Sequence, residues 1–132
     1  MSTYTVLLIG GAENETGTFT EEESADQCVL TCCYRGKTIR ASEPDFFEAL
    51  CTIRRKLEQE GLIPFCYGAS LNVFPSNMAR QMGMGKAAYK MVINQPATQE
   101  QLVFIFDQGP DIIPASVGKQ HQYFNNWLAS LG

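Results

Sequence analysis

A chain of 132 residues, 45% hydrophobic and 18% charged, has the size and composition of one globular domain, residues 1–132, and is too apolar for a disordered segment. A net charge of −4 leaves no surplus of Lys and Arg to displace counterions from phosphates, which excludes general nucleic-acid binding. The acidic balance instead favours a basic partner, because opposite potentials speed encounter.

Five cysteines, Cys28, Cys32, Cys33, Cys51 and Cys66, follow a Met-Ser-Thr-Tyr start with neither the basic stretch nor the cleavage site of a secretory leader. Free, mostly buried thiols in a reducing cytoplasm are the expectation. No apolar run reaches the length of a membrane helix, so no membrane contact is expected.

Thr3 to Ile9 is a β-branched and aliphatic run closed by Gly10-Gly11, which predicts a buried strand. Residues 12–26 hold Glu13, Glu15, Glu21, Glu22, Glu23 and Asp26 without a single Lys or Arg, and read as a solvated loop or irregular hairpin end. Gln27 to Arg35 returns to strand character, with Cys28, Leu30, Cys32 and Tyr34 on one face. Gly36-Lys37 then turns into a shorter strand over Thr38 to Ala41. Next comes the clearest helix. Ser42 and Asp45 have capping-box spacing, Pro44 suits a first turn, and Phe46, Leu50, Ile53 and Leu57 form one apolar stripe. Arg54, Arg55 and Lys56 fall near its C-terminal end, where cations suit the macrodipole, and Gly61 stops it.

Leu62 to Tyr67 reads as a returning strand, and Gly68 to Ser76 as a turn-rich link. Ser76 can cap a short helix around Met78 to Met82, stopped by Gly83. Two strands follow, Lys86 to Ile93 and Gln101 to Asp107, joined by a long hairpin loop. After a Pro- and Gly-containing loop over Gln108 to Ala115, a helix runs from Val117 to Leu131 with Ser116 as its cap and His121, Phe124, Leu128 and Leu131 as its stripe. This order predicts an α+β fold: a mixed, mainly antiparallel sheet of five to six strands with two amphipathic helices on it.

The densest candidate site is the segment 66–85, where Tyr67, Ser70, Asn72, Ser76 and Arg80 can offer donors to an anion or a peptide backbone, with Tyr67, Ser70, Asn72 and Arg80 as the leading set. The plainer reading is a crossover shaped by its glycines and proline, in which Ser70 and Asn72 bond their own backbone. Tyr67-Gly68-Ala69-Ser70, Asn72-Val73, Pro75-Ser76, Met78-Ala79-Arg80, Met82-Gly83 and Gly85-Lys86-Ala87-Ala88-Tyr89 resemble a pattern of small uncharacterised bacterial cytosolic proteins. Some of those look like the immunity proteins of contact-dependent inhibition and related toxin systems. The resemblance implies a fold family and brings no catalytic residues with it.

Other chemistry lacks its motif. Gly83-Met84-Gly85-Lys86 has Arg80 where a phosphate loop needs glycine and Ala87 where it needs Ser or Thr. The cysteines and the lone His121 contain no Cys-x-x-Cys, so no metal and no cofactor are expected. Cysteine catalysis requires Cys66 and His121 to meet, and His121 falls on an apolar stripe. No Gly-x-Ser-x-Gly is present, and the acids cluster in one segment rather than facing each other across a cleft.

The leading expectation is a non-enzymatic, immunity-type protein that occludes a basic bacterial toxin domain, with Glu21, Glu22, Glu23 and Asp26 as contacts. The alternative is a small-ligand or enzyme site in the segment 66–85. A structural or assembly module is a third reading.

Overall fold

The computed structural model describes residues 1–132 and contains two antiparallel sheets and three α-helices. Strands β1 (Ser2–Ile9), β2 (Thr16–Ser24), β3 (Gln27–Tyr34), β4 (Lys37–Glu43) and β5 (Ile63–Pro64) form the larger sheet in the order β4-β3-β2-β1-β5. The α+β class and the mainly antiparallel five-stranded sheet are as the sequence predicts, and every pairing is antiparallel.

The span 12–26 departs from expectation, because most of it is β2. Thr16, Thr18 and Thr20 alternate with Gly17, Phe19 and Glu21, which is the period of a half-buried strand. The run of glutamates masks that period in a reading based on charge. Pairing with β1 and β3 on both sides holds Glu21 opposite Ser2 and Leu30, and Glu23 opposite Cys28. Two-residue turns link β2 to β3 and β3 to β4. The second is Arg35-Gly36, one position earlier than expected, with φ of 49° and 71°, the left-handed pair that a twisted hairpin requires.

Helix α1 (Phe46–Glu58) packs on the inner face of this sheet, where Val6, Leu8, Phe19, Leu30, Cys32, Tyr34 and Ile39 are buried. Its expected stripe, Phe46, Leu50, Ile53 and Leu57, is completely buried. The cap is Asp45, not Ser42: β4 runs on through Ser42, and the Asp45 carboxylate accepts from the Glu48 amide at 2.8 Å. Beyond Gly61 (φ 74°), the expected strand 62–67 is reduced to β5, because the chain bends at Cys66 into a single 3₁₀ turn over Tyr67–Ala69.

The presumed link 68–76 contains β6 (Val73–Phe74), which pairs with β7 (Ala87–Lys90), and β7 pairs with β8 (Leu102–Phe104). Between β6 and β7 lies α2 (Asn77–Met82), capped by Ser76 and closed at Gly83 as expected. Tyr4 of β1 stacks on Phe106 at 4.5 Å, and Phe106 meets Phe19 at 6.1 Å, so this second sheet leans on the same face as α1. Helix α3 (Val117–Ser130) starts at Ser116, yet its buried face is Val117, Gln120 and Trp127. Leu128 and Leu131 of the expected stripe are 49% and 42% exposed, because the neighbouring elements cover a narrower strip than the apolar residues span.

Candidate functional site

The acidic candidates divide between two environments. Glu22, Glu23 and Asp26 are exposed at the free end of the β2–β3 hairpin, and none forms an ion pair. Glu43 adds a half-buried carboxylate to that end, since Glu23, Cys28 and Glu43 are cross-strand neighbours. Glu21 differs from them. It is 6% exposed, faces inward and pairs through Oε1 with Lys86 Nζ at 3.0 Å, while its Oε2 is buried without a hydrogen bond. Against burial, which lowers it, the Glu21 carboxylate holds the Lys86 ammonium above its ordinary value. Glu21 is therefore a support behind the acidic end. A hollow of about 410 Å³ lies against this region, lined by Glu21, Glu22, Glu23, Lys86, Phe46 and the N-terminal Met1-Ser2.

The four polar candidates of the segment 66–85 do not converge. Tyr67 donates to Asp111 Oδ1 at 2.6 Å, which raises the phenol and lowers the carboxyl, and Lys90 completes that cluster at 3.0 Å from Asp111. Ser70 is fully buried; its hydroxyl donates to Asn72 Oδ1 at 2.9 Å and accepts from the Ile113 amide at 3.0 Å. Ser70 and Asn72 thus fasten the crossover to each other and to Ile113, rather than to their own backbone as the plainer reading expects. Arg80 lies apart from them, held by Asp45 at 3.1 Å and Glu48 at 3.6 Å over the rings of Phe47 and Phe74.

The segment is anchored by two residues that sequence reasoning missed. Arg54, expected only as a cation suited to the C-terminal end of α1, is 1% exposed. Its Nη1 donates to Gly68 O at 3.0 Å and Gln120 Oε1 at 2.6 Å, and its Nη2 to Ala115 O at 3.0 Å. The Gln120 amide in turn donates to the carbonyls of Gly68, Ser70 and Val73, each at 2.9 Å. Burial pulls the guanidinium below its ordinary value, and carbonyl dipoles take the place of a counter-ion. The available signal was position: Arg54 follows Leu50 and Cys51 by four and three residues, on the buried face.

Cys66 and His121 form no dyad. Cys66 is fully buried, and burial pushes its thiol up to about 11 despite the opposing pull of Arg54. The His121 Nδ1 lies 2.9 Å from the carbonyl of Val117 in its own helix, and the ring meets Phe74 edge-on. Burial likewise lifts Cys51 to about 11 and Cys32 to about 12, leaving Cys33 as the exposed thiol. No group of three or more His, Cys, Asp or Glu side chains is placed to hold a metal ion.

A groove of about 620 Å³ lies between α2, β7 and α3. Phe74, Tyr89, Met91, Phe124, Trp127 and Leu128 supply its apolar wall, and Arg80 with Ser76 and Asn77 its polar one. Phe74 and Phe124 stack at 4.0 Å, and Trp127 is fixed by its indole N–H to Gln95 O at 2.8 Å. The groove begins inside the segment 66–85 but uses its aromatic and helical part, of which Ser76 and Arg80 were candidates. Phe124, Trp127 and Leu128 at helical spacing were the legible signal.

No family model matches the chain, and no curated protein matches it.

Proposed function

We propose that this chain acts by binding rather than catalysis, as an immunity-type protein of the bacterial cytoplasm whose acidic end occludes a basic toxin domain. The observation that carries the reading is the unneutralised state of Glu22, Glu23 and Asp26 on a hairpin paired along its whole length. Six of the other eleven acids are matched, Glu15 and Glu60 by Arg35, Asp45 and Glu48 by Arg80, Glu21 by Lys86, and Asp111 by Lys90, and no other three unpaired acids share one hairpin tip.

The physical logic is complementarity. A toxin cleft that must attract nucleic acid carries positive potential, and carboxylates placed over it meet that potential while excluding the substrate. Because β2 and β3 are already ordered, their tip loses little conformational entropy on docking. The raised thiols and the internally consumed polar groups of the segment 66–85 support a binding role over a catalytic one.

The test is co-expression with the C-terminal domain of the toxin-type protein encoded beside this chain. Restored growth and a stable complex are expected. A genomic setting without such a reading frame, or growth that stays arrested, contradicts the reading.

A further inference from the structure

We infer that the groove between α2, β7 and α3 is a pocket for one uncharged aromatic residue of a peptide segment, with its ring on the Phe74–Phe124 wall and its backbone carbonyl on Arg80. This site is independent of the acidic end. Its volume, about 620 Å³, lies in the range of ligand pockets and exceeds what one aromatic side chain fills, leaving room for the flanking amides.

The lining selects the chemistry. Phe74, Phe124, Trp127, Met91 and Leu128 offer ring faces and apolar edges, the surroundings in which a buried aromatic anchor contributes most. The one cation at the wall is already matched: Arg80 Nη1 pairs with both Asp45 and Glu48, so an anion finds no unpaired positive charge, and neither carboxylate lines the groove to meet a cation. Those ion pairs use Nη1 only. Nε and Nη2 have no acceptor in the protein, so donors remain for a neutral carbonyl oxygen.

Rigidity favours the same occupant. The Arg80 guanidinium is clamped over the rings of Phe47 and Phe74 at 5.1 and 5.2 Å, and Trp127 is tethered to Gln95. The wall is therefore ordered before anything binds, which lowers the entropy cost of filling it. Leu128 stands at the rim, 49% exposed, where an incoming ring covers it.

Trp127 is the only tryptophan of the chain, so its indole N–H gives a single resonance that reports on the groove. The experiment titrates the whole protein with N-acetylphenylalaninamide, N-acetylphenylalanine, phenylalaninamide and p-cresol, following that resonance. The neutral amide is expected to shift it saturably with a dissociation constant on the order of 1 mM. The charged forms, and p-cresol with no amide, bind about tenfold more weakly or not at all. Leu128→Glu weakens the neutral amide about tenfold by placing a charge at the rim, whereas Leu131→Glu does not. Both positions are exposed, so neither change threatens folding. An unmoved indole at about 10 mM neutral amide, roughly ten times the expected constant, overturns the inference. So do equal binding by a charged form or by p-cresol, the latter pointing to a simple apolar molecule, and equal loss in the two variants.

Discussion

Arg54 shows how much one residue can fix here. Its side chain joins the middle of α1 to Gly68, Ala115 and Gln120, and Gln120 passes the connection to Ser70 and Val73. Arg54→Met keeps an apolar stem but leaves Ala115 O and Gln120 Oε1 buried without that donor. We predict a loss of about 2–4 kcal/mol, read from the urea midpoint, with Gln120→Leu similar and the double change well short of additive. Additive losses would show that the two side chains act separately. Composition made Arg54 look like a cation suited to a helix end. What it bonds to comes from three distant stretches of chain, which no local pattern reveals.

The thiols carry a pH signature. An unfolded thiol titrates at about 8.5, whereas Cys51 and Cys66 are held at about 11 and Cys32 at about 12 by burial. Between those values the unfolded chain has released protons that the folded one retains, so stability is intact below about pH 8.5 and falls as pH rises. The urea midpoint should hold from pH 7 to 8 and drop by pH 10. A midpoint unchanged at pH 10 would mean that the thiols are not buried.

Among the elements, β2 is the most informative departure. Its threonines and Phe19 have strand periodicity, but the glutamates that follow look like a solvated loop until pairing with β1 and β3 is known. Long-range pairing, not local preference, decides it. Helices α1 and α3 were legible because a cap and a 3.6-residue stripe lie within each segment, and α2 because Ser76 caps it and Gly83 closes it. Only the cap of α1 and the covered width of α3 depended on neighbours. The two-residue β6 was invisible for the same reason as β2. The turn after β2 stores strain, because Ala25 adopts φ 44°, a region that costs a residue with a Cβ about 1 kcal/mol. Ala25→Gly should therefore raise stability by up to about 0.5 kcal/mol in thermal or urea unfolding, since the relief slightly exceeds the added chain freedom. A destabilised variant would show that the turn conformation is not left-handed.

For the whole molecule, the grouping of Glu22, Glu23 and Asp26 at one hairpin tip is the feature on which the proposed binding role rests. Ion pairs tie Glu15, Glu21, Glu60, Asp45, Glu48 and Asp111 into the fold, while the tip of β2–β3 keeps Glu22, Glu23 and Asp26 without cations. The sequence showed where the acids cluster. It did not show that Glu21 turns inward, because facing depends on strand register. It offered a crossover held by Ser70 and Asn72 as the plainer reading, but not that their partners are each other and Ile113 or that Tyr67 is taken up by Asp111.

The most direct measurement compares the association rate of the wild-type chain with that of Glu22→Lys/Glu23→Lys/Asp26→Lys toward the basic toxin domain proposed as its partner, across a range of salt. An electrostatic acidic end predicts fast association at low salt that slows steeply as salt rises, and a triple variant slower by about tenfold or more with little salt dependence left. Equal rates for the two proteins at every salt concentration would contradict the account.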